Sequence, residues 1–292
     1  MSPLLSLALL PAAVLLIYIY RKDTIEKEPA KLLIRLFLFG CLCAIPASIL
    51  EGIGMTLISG IGGTFLQLFL QAFLVVAVAE EGCKFGFLCT AWKNPAFDYR
   101  FDAIVYAVFV SLGFAALENV LYVVQYGFGT ALVRAVTSIP GHCFFGVFMG
   151  YWYGKAKYAS RNGIPSTGRY LALSVLIPVL LHGFYDFCCF MSGTYSIFLV
   201  IFLAFLVPFF IFSIRLVNKA SREDAPIDPN QTAGGDGFIP GQYYRSVDYT
   251  PGAGQPYYGL DSDQAFLDRP DARGNGANPA NPWNSGNDPF SN

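Results

Sequence analysis

The stretch from Leu68 to Trp92 decides the fold, and it reads LFLQAFLVVAVAEEGCKFGFLCTAW. A bilayer core about 30 Å thick needs about 20 predominantly apolar residues in a spanning helix, and this stretch has that length. It nevertheless carries Glu80, Glu81 and Lys84 close to its centre. Insertion scales put the cost of an ionisable residue at mid-membrane at about 2.5–3.5 kcal/mol, so such groups pair with one another or line water. The stretch therefore predicts a membrane helix that carries a polar site.

The composition of the whole chain also indicates a membrane protein. Of its 292 residues, 54% are hydrophobic and 13% are charged, whereas a soluble domain has about 25% charged residues. The net charge of -1 provides no basic surface, so we expect no nucleic-acid partner. We predict an all-α fold, a polytopic membrane helix bundle of about seven transmembrane helices. The predicted spans are roughly residues 3–20, 33–57, 68–92, 103–126, 135–154, 170–191 and 195–214.

Basic residues lie mostly on one side of this predicted bundle. The first segment lacks a basic start, and no A-x-A-like site precedes Arg21, so we interpret it as a retained anchor. Lys and Arg residues then fall in alternate connections, whereas the opposite side has only Arg134. The positive-inside rule therefore predicts an external N-terminus and a cytoplasmic C-terminus. The basic residues of the cytoplasmic side are Arg21, Lys22, Lys27, Lys31, Arg35, Lys93, Arg100, Lys155, Lys157, Arg161, Arg169, Arg215, Lys219 and Arg222.

The composition changes near the end of the last predicted span. Residues 221–292 are rich in Gly, Pro, Asn and Tyr and contain no apolar run long enough to bury a core. Such a composition cannot offset the entropy of ordering. We therefore predict two regions, a transmembrane domain over residues 1–220 and a disordered cytoplasmic tail over residues 221–292.

Ionisable residues recur inside several of the predicted spans. Both histidines of the chain are among them. With a rise of about 1.5 Å per residue, the two histidines and the carboxylates fall between the midplane and the outer third of the bilayer, although helix directions alternate. Four helices thus deliver polar groups to one layer, and we expect these groups to meet one another. The residues are Glu80, Glu81, Lys84, Glu118, His142, His182 and Asp186.

Two local spacings support this convergence. Lys84 lies three and four residues after the two glutamates, so it can pair with one and leave the other free. Asp186 lies one helical turn after His182, so it can accept a hydrogen bond from the imidazole and fix its tautomer. Structural roles remain open for each group: an ion pair, a core hydrogen bond or, for Glu118-Asn119, a bond between helices.

Two further carboxylates and one glycine series have a structural interpretation. Glu51 and Asp102 lie near predicted helix ends, where a carboxylate can reach the membrane interface. Glycines at every fourth position after His142, namely Gly146, Gly150 and Gly154, predict a close helix contact.

The clustered groups fit water activation better than covalent catalysis. A buried glutamate can act as a general base, and a histidine can donate to a developing oxyanion. The sequence has neither a G-x-S-x-G elbow nor an H-E-x-x-H zinc helix. Zinc is compatible with two histidines and a carboxylate, but the spacing does not require it. The alternative is a proton-coupled membrane transporter, in which the same groups form a proton relay, although we find no two similar halves.

Several blocks of sequence, taken in order, resemble a known family. Glu80-Glu81-Gly82-Cys83-Lys84 matches an E-E-x-x-K motif, and the stretches 102–106 and 113–119 resemble the second block. His142 opens the third block, and residues 182–186, HGFYD, resemble the fourth. Glu28-Pro29 also fits. Over about residues 5–215 the chain is similar to the PrsW family of bacterial intramembrane proteases, which is related to the CPBP and CAAX-protease group.

The resemblance implies a function and a location. The chain would be a multi-pass protein of the bacterial cytoplasmic membrane and an intramembrane endopeptidase, glutamate-dependent or metallo-type. Its partners would be the lipid bilayer and a single-span membrane substrate. By resemblance that substrate is an anti-sigma factor, cut at an extracytoplasmic site in stress-response signalling.

Residues and resemblance together assign a role to each site residue. We expect Glu80 to activate water, with Glu81 as the second candidate because Lys84 can pair with either. We expect His142 and His182 to position the water or hold the oxyanion. Supporting roles fall to Lys84, to Glu118 and Asn119, which would line the site, and to Asp186, which would orient His182. We favour no cofactor; if zinc is present, its ligands would be His142, His182 and Glu81.

Overall fold

The computed structural model describes residues 3–228, and residues 3–5 and 7 are described by their backbone alone. The predicted disorder of the tail beyond residue 228 lies outside the described residues. Helices dominate this part of the chain, and its only β-type pairing is an isolated bridge between Tyr99 and Pro226. The helices are α1 Pro3–Lys22, α2 Ala30–Ile58, α3 Thr64–Leu70, a π-helix Gln71–Val76, α4 Ala77–Leu88, a 3-10 turn Cys89–Ala91, α5 Asp102–Tyr126, α6 Phe128–Val136, α7 Ser138–Arg161, α8 Thr167–Ser192 and α9 Ile197–Arg222.

The all-α prediction is confirmed. Each of the seven predicted spans falls on a helix or on consecutive helices. Five helical stretches among the described residues are long and apolar enough to cross a bilayer, with α6 and α7 counted as one. The predicted span at 68–92 is instead divided between α3, the π-helix and α4. Helix α6 lies where the sequence indicated only a connection between spans. The five stretches are Ala30–Ile58, Asp102–Tyr126, Phe128–Arg161, Thr167–Ser192 and Ile197–Arg222.

Helix α5 occupies the centre of the bundle because its neighbours approach it closely. A Cβ atom added to Gly150 of α7 would lie 2.5 Å from the carbonyl oxygen of Ala103, and one added to Gly40 of α2 would lie 2.0 Å from that of Val110. Glycine therefore permits backbone contact on both sides of α5. The glycine series of α7 is a packing face, as the sequence predicts.

Large apolar side chains cover the outside of the bundle. Leu57 and Val124 are 76% and 75% exposed, and many other leucine, isoleucine and valine residues are about half exposed. Such a surface would be unstable in water but is the expected one in a bilayer. The fold therefore presents its apolar residues to lipid and collects its buried charges inside.

The segment after α9 packs back onto the bundle. The backbone N–H of Phe101 donates to Oδ1 of Asp224 at 2.8 Å, and that of Arg100 donates to the carbonyl of Ala225 at 3.1 Å. The side chain of Asn162 donates to the carbonyl of Ile227 at 2.9 Å. Three connections, after α4, α7 and α9, thus meet on one face, which is the face that the basic residues share. The ordered contacts continue a few residues past the predicted boundary at residue 220.

Candidate active site

The two adjacent glutamates of α4 share one lysine. Nζ of Lys84 lies 3.0 Å from Oε2 of Glu80 and 2.8 Å from Oε1 of Glu81. All three side chains are buried. Helical spacing creates both contacts, because residues three and four apart lie on one face. Lys84 therefore pairs with both carboxylates, whereas the spacing had suggested that it would pair with one and leave the other free.

A π-helix immediately precedes this group. Residues Gln71–Val76 have π-helical geometry between α3 and α4. Such segments occur frequently at functional sites, because they add a residue to a turn and rotate the next part of the helix. Here the π-helix sets the rotation of α4, the helix that carries both glutamates.

His182 of α8 connects to both glutamates and to its own helix. Its Nδ1 lies 2.8 Å from Oε1 of Glu81, and its Nε2 lies 3.3 Å from Oδ2 of Asp186 and 4.0 Å from Oε2 of Glu80. Phe145 stacks on the imidazole, with the ring centroids 4.8 Å apart. The ring is therefore held between carboxylates at a fixed orientation, and Asp186 occupies the orienting position that the sequence predicts.

His142 of α7 links the lysine to α5. Its Nδ1 lies 3.1 Å from Nζ of Lys84, and its Nε2 lies 3.1 Å from Oε2 of Glu118. An ammonium can only donate, so Nδ1 accepts and Nε2 carries the proton that it gives to Glu118. The imidazoles of His142 and His182 lie 5.2 Å apart between centroids. Both histidines of the chain thus belong to one cluster.

Arg134 completes the outer part of this cluster, and sequence reasoning gave it no place in the site. Its Nη2 lies 2.7 Å from Oε2 of Glu118, and its Nε donates to Oδ1 of Asn119 at 2.9 Å. Arg134 lies in α6, a helix the sequence did not predict. The one feature of the sequence that could have indicated its role is that Arg134 is the only basic residue on the predicted external side of the bundle.

Asn119 differs from the expectation that it lines the site. It is fully buried, and its Nδ2 donates to the carbonyl of Ala8 in α1 at 2.8 Å. Asn119 therefore connects α5 to α1 and to Arg134 of α6. This is the alternative role, a hydrogen bond between helices, that the sequence analysis gave for Glu118-Asn119.

A cavity of about 750 Å³ lies against the clustered groups. Helices α2, α4, α5, α6, α7, α8 and α9 contribute to its wall. Glu51 also lines it, and so does not serve only as the interfacial carboxylate that we expected. Among the predicted site residues, the wall contains Glu80, Glu118, His142, His182 and Asp186.

The cavity distinguishes the two glutamates and has an apolar opening. Glu80 is on its wall, whereas Glu81 is 0% exposed and is not among the lining residues. Exposed apolar side chains stand at the rim, among them Leu121 at 59%, Val133 at 61% and Leu199 at 52%. The opening therefore meets the lipid-facing surface.

The residue types and distances fit a zinc ion. Glu80, Glu81, His142 and His182 each offer one ligand atom, and these atoms all lie within 4.8 Å of one another. Oε2 of Glu81 is buried without a hydrogen-bond partner, and a buried oxygen of this kind is suited to act as a metal ligand. Histidine nitrogen and carboxylate oxygen are ordinary ligands of catalytic zinc. The Lys84 ammonium among them opposes cation binding.

Comparison with known proteins gives a consistent family. The family model described as "PrsW family intramembrane metalloprotease" matches residues 28–213. The chain is 37% identical to "Protease PrsW" of Oceanobacillus iheyensis over 228 residues, covering 76% of this chain and 97% of that protein. It is 38% identical to the protein of that name from Geobacillus kaustophilus, covering 64% and 79%, and 33% identical to that of Bacillus subtilis, covering 75% and 96%. No solved structure matches the chain.

Proposed function

The chain belongs to the PrsW family of intramembrane proteases, and from this premise we propose that Glu80 activates the water that cleaves its substrate. Membership of this family identifies the reaction as peptide-bond hydrolysis. It therefore excludes the alternative function, a proton-coupled transporter that uses the same polar groups. The observation that carries the proposal is the position of Glu80. It is the carboxylate of the E-E-x-x-K pair that lines the cavity, whereas Glu81 lies behind it.

The proposed reaction is a hydrolysis. A water in the cavity gives a proton to Glu80 as its oxygen attacks the scissile carbonyl carbon, and the same proton passes to the leaving amine as the C–N bond breaks. His182 faces the cavity beside Glu80, and its orientation is fixed by Glu81 and Asp186. Nε2 of His182 lies 3.3 Å from Oδ2 of Asp186, so it donates to the developing oxyanion only when that oxygen displaces Asp186.

The remaining groups hold this arrangement in place. Lys84 keeps the two glutamates together and binds Nδ1 of His142, so α4 and α7 are joined at one ammonium. Glu118 pairs with the other ring nitrogen of His142. Zinc, when bound, would be held by Glu81, His142 and His182 and would supply Lewis acidity at the water.

The proposed substrate is a single-span membrane protein. The cavity opens among exposed apolar side chains, so a segment already in the lipid can enter without crossing water. Glu118 lies 16 residues after Asp102, about 24 Å along α5 at a rise of about 1.5 Å per residue, so the site is far from the face that carries the basic loops. With that face in the cytoplasm, cleavage falls in the outer half of the bilayer. A membrane-anchored anti-sigma factor cut at an extracytoplasmic site, in stress signalling, fits this description.

The test is cleavage of defined substrates. Full-length protein is co-expressed with candidate single-span proteins, and the products are followed by immunoblot. Glu80→Gln should reduce the cleavage rate by about 10²–10⁴-fold, the usual contribution of a general base. Glu26→Gln, which changes an exposed glutamate in the connection after α1, should cleave as the wild type does. Full cleavage by Glu80→Gln would remove this residue from the mechanism, and cleavage restricted to substrates that are not anti-sigma factors would correct the substrate class alone.

A further inference from the structure

A second group of buried carboxylates lies at the opposite end of the bundle. Asp23 follows α1, Glu28 precedes α2, and Asp102 begins α5. Each offers a carboxylate oxygen, and the three oxygens lie within 4.8 Å of one another. The three residues are only 1%, 5% and 1% exposed. Asp102 was expected to reach the interface, but its side chain instead points into this group.

The existing hydrogen bonds leave part of the group unsatisfied. Oδ2 of Asp102 accepts from the backbone N–H of Tyr99 at 2.7 Å, and Oε2 of Glu28 accepts from the hydroxyl of Tyr106 at 2.5 Å. Oδ2 of Asp23, by contrast, is buried without a hydrogen-bond partner. A buried carboxylate oxygen normally has a partner, because its desolvation is otherwise uncompensated. The group therefore has an unsatisfied acceptor at the point where three acidic side chains converge.

The charge balance also favours a cation. The ammonium of Lys27 lies near this group, but it donates to the backbone carbonyls of Tyr20 and Asp23. One partly engaged lysine does not balance three carboxylates.

We propose that Asp23, Glu28 and Asp102 bind a divalent cation that prefers oxygen ligands, calcium in the first place. Calcium takes about six to eight oxygen ligands in a flexible geometry, several of them from carboxylates, whereas magnesium usually keeps several waters and binds only one or two carboxylates. Three converging carboxylates, whose oxygens lie within 4.8 Å of one another, therefore suit calcium better than magnesium. The three side chains offer only oxygen ligands, in contrast to the histidine-containing active site.

The bound ion would have a structural role, since it would link parts of the chain that are distant in sequence. It joins the connection between α1 and α2 to the first turn of α5, the central helix of the bundle. The site is separate from the active site, because Asp102 and Glu118 are about 24 Å apart along α5. We expect the ion to stabilise the fold by mass action, since it binds the folded state.

Purified full-length protein in detergent, freed of metal by chelator and dialysis, provides the test. Calcium chloride should raise the midpoint of thermal unfolding in a saturable manner, and terbium should bind with luminescence sensitised by Tyr106, which contacts Glu28. Asp23→Asn and Glu28→Gln should weaken binding of either ion at least about tenfold, as loss of a charged ligand does. Glu26→Gln, an exposed carboxylate of the same connection, and Glu80→Gln, in the active site, should bind as the wild type does.

Two outcomes of these experiments would contradict the proposed cation site. No saturable response of the wild type to calcium, together with no terbium signal, would show that the three acids share protons instead. Binding that survives Asp23→Asn and Glu28→Gln but disappears in Glu80→Gln would place the ion in the active site. Where a variant fails to unfold cooperatively, terbium titration of the other variant decides the outcome.

Discussion

Nδ1 of His182 lies 2.8 Å from Oε1 of Glu81, although 101 residues separate the two in the chain. The same oxygen accepts from Nζ of Lys84, also at 2.8 Å. Glu81 therefore joins α4 to α8 at a point without solvent exposure, while Glu80 beside it faces the cavity. Adjacent residues of one motif thus have different surroundings, and their substitutions should have different effects.

The two glutamine substitutions should separate stability from chemistry. Glu81→Gln removes the carboxylate from a buried ion pair and should lower the free energy of unfolding by about 3–5 kcal/mol. Glu80→Gln should slow cleavage by about 10²–10⁴-fold with a smaller loss of stability, because Lys84 and His182 retain their contacts with Glu81. Thermal unfolding in detergent and cleavage of a single-span substrate measure the two effects. Equal destabilisation by both variants would contradict the division of roles.

Lys84→Met should be far more harmful than the same change on the surface. Lys84 is 0% exposed, and its removal leaves two carboxylates and His142 without their cation. We expect a loss of about 3–5 kcal/mol in unfolding free energy. Lys219→Met is the matched control, since Lys219 also has a glutamate four residues away but its side chain is 52% exposed. Its pair should contribute at most about 0.5 kcal/mol. Similar unfolding midpoints for the two variants would refute the central position of Lys84.

Contacts within one helix could be predicted from the sequence. The contacts of Lys84 with its two glutamates and that of His182 with Asp186 follow from a helical repeat of 3.6 residues, which places residues three and four apart side by side. We had expected Lys84 to pair with one glutamate and leave the other free, whereas it contacts both. The common layer of the polar groups also followed from residue counts, because the rise per residue is constant. The all-α class and the clustering of the polar groups could therefore be predicted from the sequence.

Contacts between helices could not be predicted from the sequence in this way. The sequence does not fix the rotation of each helix about its axis, so it did not show that Nδ1 of His142 meets Lys84. Nor did it show that Asn119 turns to α1 while its neighbour Glu118 faces the cavity. The π-helix has no residue signature, and Arg134 lies in a short helix outside the predicted spans. Packing of small residues decides such rotations.

The orientation in the membrane is a further prediction. The connections after α4, α7 and α9 share one face, and basic residues crowd that face, so we expect it in the cytoplasm. Reporter fusions after Gly62, Arg100, Arg161 and Asn292 should report outside, inside, inside and inside. An external report from the last fusion alone would contradict the helix count. External reports from all three fusions after Arg100, Arg161 and Asn292 would reverse the orientation and place cleavage in the inner half of the bilayer.

Truncation should show where the folded domain ends. The composition beyond residue 228 offers no core, so a chain that ends at Asp228 should fold and cleave like the full protein. A chain that ends at Arg222 also loses Asp224, whose carboxylate accepts from the backbone N–H groups of Phe101 and Ala225, and should be less stable. Proteolysis and thermal unfolding distinguish the two. If the longer truncation product does not fold, the tail has a structural role that its composition does not indicate.

The final prediction is that cleavage does not depend on zinc, because the positive charge of Lys84 lies among the candidate zinc ligands. The four donor residues fit zinc by type and distance, but Nζ of Lys84 lies 2.8 Å from Oε1 of Glu81 and 3.1 Å from Nδ1 of His142, inside the same donor set. A positive charge at that distance opposes a divalent cation. We therefore expect weak zinc binding and cleavage that persists after a strong chelator has been applied, with the water activated by Glu80.

Metal analysis of the purified protein, run beside a cleavage assay with and without chelator, measures both quantities. His142→Gln serves as the comparison, because it removes a ligand nitrogen and should not change the metal content if zinc is not held there. Stoichiometric zinc, with cleavage lost on chelation and restored by zinc alone, would show that Glu81, His142 and His182 hold the ion despite Lys84. Glu80 would then remain the residue that takes the proton, since it lines the cavity in either case.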